Sequence, residues 1–166
     1  KMIFKGTGYT GDKKAKIIGY FRESGIDIAR ITFQGKCPRE TLLESYNNVD
    51  IALDPFPYTG GTTTCEALWM GVPVITKAGK SYVSRMSTSV LSGAGLHEWI
   101  AQDNYSYVQL ALQQAANLKE LRAHRDRWRN CVQTSPVGNA ADLMVHLEAA
   151  FSAMVKAKSA ATDSFT

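Results

Sequence analysis

"DIALDPFPYTGGTTTCEALWMGVPVIT" (residues 50–76) contains an apolar run that ends at Asp54, a loop with two prolines and two glycines, and three consecutive threonines. An apolar helical pattern follows, stops at Gly71, and gives way to a second apolar run. The first run, DIALD (50–54), reads as a strand, TTTCEALWM (62–70) as a helix and VPVIT (72–76) as the next strand. A strand, a helix and a second strand in so short a stretch form a βαβ unit, whose strands run parallel.

The pattern extends towards the N-terminus. MIFKG (2–6) and ARITFQG (29–35) read as strands, and GDKKAKIIGYFRESG (11–25) between them as a helix that stops at Gly25. CPRETLLESYNNV (37–49) reads as a helix with Pro38 in its first turn, where the missing N–H costs nothing. From Ser81 onward the pattern turns mostly helical: 81–95, 104–133 and 140–158, before a small, polar end over 157–166 that is expected to be disordered. No internal repeat or low-complexity linker interrupts the chain, so residues 1–156 read as one α/β domain. Its expected form is a Rossmann-like parallel sheet with helices on both faces.

The composition agrees with a folded core: 45% hydrophobic and 20% charged residues in a chain of 166. A net charge of +4 mildly favours anionic ligands, but the basic residues are spread along the chain, and no nucleic-acid partner is expected. Cys37, Cys65 and Cys131 are odd in number and lack metal-ligand spacing, so they read as reduced thiols of an intracellular, cytoplasmic protein. No run approaches a membrane span, no signal peptide is visible, and the chain opens directly on the strand-like KMIFKG.

In an open parallel sheet, ligands collect beyond the carboxyl ends of the strands. Asp54 lies at such an end, placed to orient the loop after it. Gly60 and Gly61 allow close approach of the backbone to a ligand. Thr62, Thr63 and Thr64 would open the next helix, where unpaired N–H groups and the positive dipole end favour an anion such as a diphosphate. A second reading stands beside this one: Thr63-Thr64-Cys65-Glu66 matches a capping box, in which Thr63 and Glu66 only satisfy the helix start. Neither a Walker phosphate loop nor a G-x-G-x-x-G fingerprint is present.

The stretch 50–76, together with SRMSTSVLSGAGLHEWIA (84–101), resembles the C-terminal catalytic lobe of the O-linked N-acetylglucosamine transferases. It is most similar to the plant Spindly type and to bacterial proteins with tetratricopeptide repeats. The resemblance rests on "LD", "GTTT", "E", "GVPV" and "SR" at these spacings and runs across most of the chain. It implies the C-terminal half of a two-lobed GT-B glycosyltransferase that moves a sugar from a nucleotide donor to Ser or Thr of proteins, with inversion and without a metal or cofactor. Thr62 and Thr63 would grip the diphosphate and Glu66 the ribose hydroxyls. Arg39 falls where the animal enzymes carry a lysine near the ribose and phosphates, and Cys37 where backbone meets the nucleobase.

Two family histidines are replaced here, by Gly61 and Leu42. The loop is nearer to the Spindly form, so the donor stays open between UDP-N-acetylglucosamine and GDP-fucose. No residue is assigned as catalytic. The acceptor side is expected in an N-terminal lobe and repeat array outside these residues, which would leave this chain alone incomplete and inactive. The other readings are a non-catalytic nucleotide- or partner-binding module and another GT-B sugar-nucleotide enzyme, such as an epimerase.

Other chemistry is weaker. His97, His124 and His146 are scattered without metal spacing, and Tyr58 is read as a packing residue that could shape the pocket. The basic stretch LKELRAHRDRWRNCV (118–132) reads as a packed helix with a solvated basic face.

Overall fold

The structure is a computed structural model that describes residues 1–163. They form two compact units, Lys1–Glu44 and a second that begins at Ser45. The sequence, lacking a linker, reads as one domain; the boundary falls inside a helical stretch where composition does not change.

In the first unit, β1 (Met2–Lys5) and β2 (Ile31–Gln34) pair in parallel, with Met2 opposite Ile31 and Lys5 opposite Gln34. Between them in the chain lies α1 (Gly11–Glu23). Phe4 stacks on Phe33 at 5.2 Å and meets the edges of Tyr9 and Phe21. Such ring pairs add roughly 0.5–1.5 kcal/mol each beyond area burial, and they centre this small unit on one aromatic cluster. The helix α2 (Arg39–Ser45) ends at the boundary.

The second unit has a three-stranded parallel sheet in the order β3 (Ala52–Leu53), β4 (Val74–Lys77), β5 (Ile100–Ala101). The strands therefore form two sheets, not the single one expected. The expected strand over 50–54 shrinks to two residues, although the Asp54 N–H still donates to the Ile75 carbonyl at 3.0 Å. β5 lies between two stretches read as helical and is not among the expected strands; two residues are too few for alternation to show, and pairing with β4 creates the strand.

Six helices accompany this sheet among the described residues: α3 (Thr62–Trp69), α4 (Met86–Gly93), α5 (Asn104–Ala115), α6 (Leu118–Ala123), α7 (Arg125–Gln133) and α8 (Ala140–Asp163). Their apolar positions close the core around β4. Leu68, Val72, Ile75 and Leu91 are fully buried, and Trp99 meets Trp128 edge-on at 4.9 Å.

Gly71 ends α3 as expected, at φ +77°, which a side chain rarely tolerates. A β-carbon there would also stand 2.9 Å from the Arg125 carbonyl oxygen. The close approach is locked by the Arg125 guanidinium, which donates to the carbonyls of Tyr46, Val49 and Met70. The basic stretch thus departs from a single helix, while its basic face stays largely exposed. It breaks at His124, and Arg122, Arg127 and Arg129 bind Asp50, Glu98 and the Trp69 carbonyl.

Arg122 reaches Asp50 with two donors, at 2.6 and 2.8 Å, and this hydrogen bonding holds the Asp50 carboxyl below its ordinary 3.8. A folded pKa below the unfolded one means that the folded state binds fewer protons. The pair's contribution is therefore fully present above pH 3.8 and is lost as pH falls through the depressed value. Urea unfolding from pH 6 downward should show Asp50→Asn less acid-sensitive than the parent chain. Equal acid sensitivity would exclude the pair as a contributor.

From Ala140 to Ser159 every side chain of α8 is exposed. The helix expected over 140–158 continues to Asp163, so the expected disordered end over 157–166 is helical that far. Residues 164–166 lie outside the described residues.

Candidate functional site

The loop between β3 and α3 lies at the carboxyl end of β3 and is fastened from three directions. Asp54, 5% exposed, accepts from the Gly60 N–H at 2.7 Å through Oδ1 and from the Thr76 hydroxyl at 2.6 Å through Oδ2. β3 and β4 are thereby tied to the loop through one carboxylate, which is the orienting role expected of Asp54. On the far side, the Ser87 hydroxyl of α4 donates to the Gly60 carbonyl at 2.7 Å and shares a 2.7 Å bond with Thr64. Thr59 is held against the turn before α4, with its N–H and its hydroxyl both donating to the Val83 carbonyl.

This fastening explains Gly60. A β-carbon there would lie 2.6 Å from both the Thr63 and Thr64 hydroxyl oxygens and 3.3 Å from Asp54 Oδ1. Those hydroxyls belong to short, branched side chains, so neither can swing away cheaply. Gly61 faces only Met86 Sδ, at an ordinary 3.7 Å.

The helix start settles the capping alternative. α3 begins at Thr62 with Gly61 in the cap position and no side-chain cap bond. The Gly61 carbonyl accepts from the N–H groups of Thr64 and Cys65. Thr63 therefore lies inside the first turn, two positions too late to act as cap, and the Thr63–Glu66 capping box does not form. The N–H groups of Thr62 and Thr63 have no acceptor among the described residues. Both threonines are exposed, so two N–H groups and two hydroxyls share the positive end of α3.

The remaining expected site residues divide by position. Thr64 is 2% exposed with its hydroxyl spent on Ser87, which makes it a support of the loop. Glu66, 9% exposed, lies one turn along α3; its charge, after burial, is the second cause that raises the pKa of Tyr46. The Tyr46 hydroxyl in turn donates to the Thr63 carbonyl at 3.4 Å. Burial also pushes the Cys65 thiol up, which keeps it protonated and unreactive near neutral pH. Cys37 and Arg39 stand in the first unit, in the turn before α2 and at its first residue. Tyr58 is 68% exposed, so the packing role expected of it does not hold.

Two contributors escaped sequence reasoning. Ser87 lies in the stretch that carries the resemblance, but nothing in its spacing points to the loop, and only the packing of α4 brings it there. Tyr107, on α5, donates to the Asp54 carbonyl at 3.0 Å, and burial followed by the Asp54 charge raises its pKa to about 12. Phe56 packs edge-on against Tyr107, with the Lys77 ammonium 3.9 Å above its ring. Among the described residues, no group of three or more His, Cys, Asp or Glu side chains could hold a metal ion.

The parallel strands and the glycine–threonine loop beyond them define an α/β protein with an anion-receptive helix start at a strand end. The profile of glycosyl transferase family 41 matches residues 8–147, and the chain belongs to that family. It is 40% identical over 114 residues to the probable UDP-N-acetylglucosamine–peptide N-acetylglucosaminyltransferase SPINDLY of Arabidopsis thaliana, a match that takes in 69% of this chain and 12% of the relative. A UDP-N-acetylglucosamine–peptide N-acetylglucosaminyltransferase of Caenorhabditis elegans is 33% identical over 63% of this chain and 9% of its own length. A solved structure of a mutant O-GlcNAc transferase from Thermobaculum terrenum superposes with a TM-score of 0.76 at 34% identity, over 91% of this chain and 29% of that one. The chain thus spans a small part of the proteins that it matches, and the likeness bears out the resemblance and the α/β fold expected from the sequence.

Proposed function

We propose that this chain supplies the nucleotide-sugar donor site of a protein O-glycosyltransferase. The observation that carries this reading is the loop itself: Gly60 held by Asp54 and Ser87 so that the Thr62 and Thr63 N–H groups and hydroxyls stay open at the start of α3. Thr62 and Thr63 would take the diphosphate and Glu66 the ribose hydroxyls. As the acceptor oxygen bonds to the anomeric carbon, the bond from that carbon to the diphosphate oxygen breaks. Charge then grows on the leaving diphosphate, where preorganised donors stabilise it most. The names of the relatives favour UDP-N-acetylglucosamine as donor and a peptide as acceptor, with GDP-fucose as the other candidate donor. Three free cysteines, all part-buried, fit a reducing compartment such as the cytoplasm, and no described helix is long and apolar enough to cross a membrane.

Calorimetric titration with UDP and GDP tests the site. Glu66→Ala is expected to weaken nucleoside diphosphate binding by about 1.5–3 kcal/mol, roughly tenfold or more in Kd. Thr63→Val should weaken diphosphate binding more than monophosphate binding. Unchanged affinity in both variants would overturn the assignment.

A further inference from the structure

Beside the loop, Tyr82, Arg85, Met86, Thr88, Ser89 and Ser92 line a cavity of about 450 Å³. We propose that this cavity receives the distal phosphate of the nucleoside diphosphate, with Arg85 as its cation; the proposal rests on the donor-site reading above.

Three observations point the same way. Arg85 is exposed, and its guanidinium has no hydrogen bond or ion pair among the described residues. By contrast, Arg122, Arg125, Arg127 and Arg129 of the same unit are each committed to a carboxylate or a carbonyl. A planar guanidinium left open in a cavity is suited to a phosphate, which it can meet with two parallel bonds. The Thr88 hydroxyl oxygen is buried without a partner among the described residues, on the helix that also carries exposed Ser89 and half-buried Ser92. Finally, the cavity adjoins the donor loop: Met86 lies 3.7 Å from where a Gly61 β-carbon would stand, and Ser87 binds the Gly60 carbonyl.

The electrostatics give the cavity a part that the loop alone does not supply. Thr62, Thr63 and the N–H groups of α3 are neutral donors, whereas a nucleoside diphosphate carries its greater charge on the distal phosphate. Arg85 places a full positive charge on that side of the loop and shares the diphosphate with the threonines. The α4 backbone is pinned to the loop through Ser87, so Arg85 starts from a fixed position and only its side chain must settle.

The test compares UDP, UMP and inorganic pyrophosphate by calorimetry on the whole chain. Arg85→Met is expected to weaken UDP and pyrophosphate about tenfold, as for loss of one charge-assisted bond, and UMP by less than about threefold. Arg85→Lys keeps the charge and should recover part of the UDP affinity. Melting temperature should not move, because the side chain holds nothing else. UDP binding that is indifferent to Arg85→Met while Thr63→Val still weakens it overturns this proposal and leaves the donor site standing. Equal losses for UDP and UMP, or a loss matched by a fall in melting temperature in both variants, also overturn it. If the unaltered chain binds neither UDP nor GDP, the donor-site reading and this proposal fail together.

Discussion

Trp128→Ala is expected to lower the unfolding free energy by about 3–5 kcal/mol. Total stabilities of domains run to about 5–15 kcal/mol, so this one change removes a large fraction. Trp128 is 2% exposed, sits edge-on to Trp99 at 4.9 Å and belongs to the cluster that includes Leu68, Val72 and Leu91. It also seats α7, whose Arg125 ties the carbonyls of Tyr46, Val49 and Met70. Its indole N–H is buried without a partner among the described residues, so no hydrogen bond is lost with it. Trp128→Phe should consequently cost much less, about 1–2 kcal/mol, a loss of volume only. Urea unfolding of the two variants separates volume from polarity. A phenylalanine variant as unstable as the alanine one would show that the N–H matters after all.

Asp54→Ala is expected to damage stability and nucleotide binding together. The substitution strips the Gly60 N–H and the wholly buried Thr76 hydroxyl of their acceptor. Each buried polar group left unmet costs about 1–3 kcal/mol, so the sum reaches roughly 2–6 kcal/mol. The loop would also lose its tie to β4, and the open N–H groups of Thr62 and Thr63 would no longer be held in place. Asp54→Asn keeps an oxygen for Gly60 and a nitrogen that the Thr76 hydroxyl can accept from, and it should retain most of the stability. The same variant tests the electrostatics of Tyr107: burial is the larger cause of its raised pKa, about 12, so removing the Asp54 charge should lower that value only in part. Ultraviolet titration of the tyrosines would read this, and a return to the ordinary 10.0 would invert the order of causes.

The opening βαβ stretch was legible because its signals are local. Apolar runs on either side of a glycine-bounded helix need only their own residues to be recognised, and Gly71 stops α3 at the expected place. The loop was legible for the same reason: glycines and threonines after an aspartate at a strand end restrict what the backbone can do. Glu66 was harder. Its spacing from Thr63 fits a capping box, and only the observed helix start at Thr62 excludes that. The β5 strand was illegible, because two residues carry no period and their state depends on an edge of β4 that they meet in space.

Residues 50–76 by themselves determined that a parallel strand–helix–strand unit forms here and that a ligand-receptive loop joins its parts, since propensity, turn chemistry and helix stops act over a few residues. Tertiary structure alone decided which hydroxyls remain open to a ligand. Thr64 and its neighbours Thr62 and Thr63 look alike in sequence, yet Ser87, 23 residues further on, takes up the Thr64 hydroxyl and leaves the other two exposed. The arginines divide in the same way: four of the second unit are spent on carbonyls and carboxylates, and Arg85 is left open in a cavity. A hydrogen-bonding group is fully used or fully available according to what the fold brings within about 3 Å of it, and sequence neighbours do not set that distance.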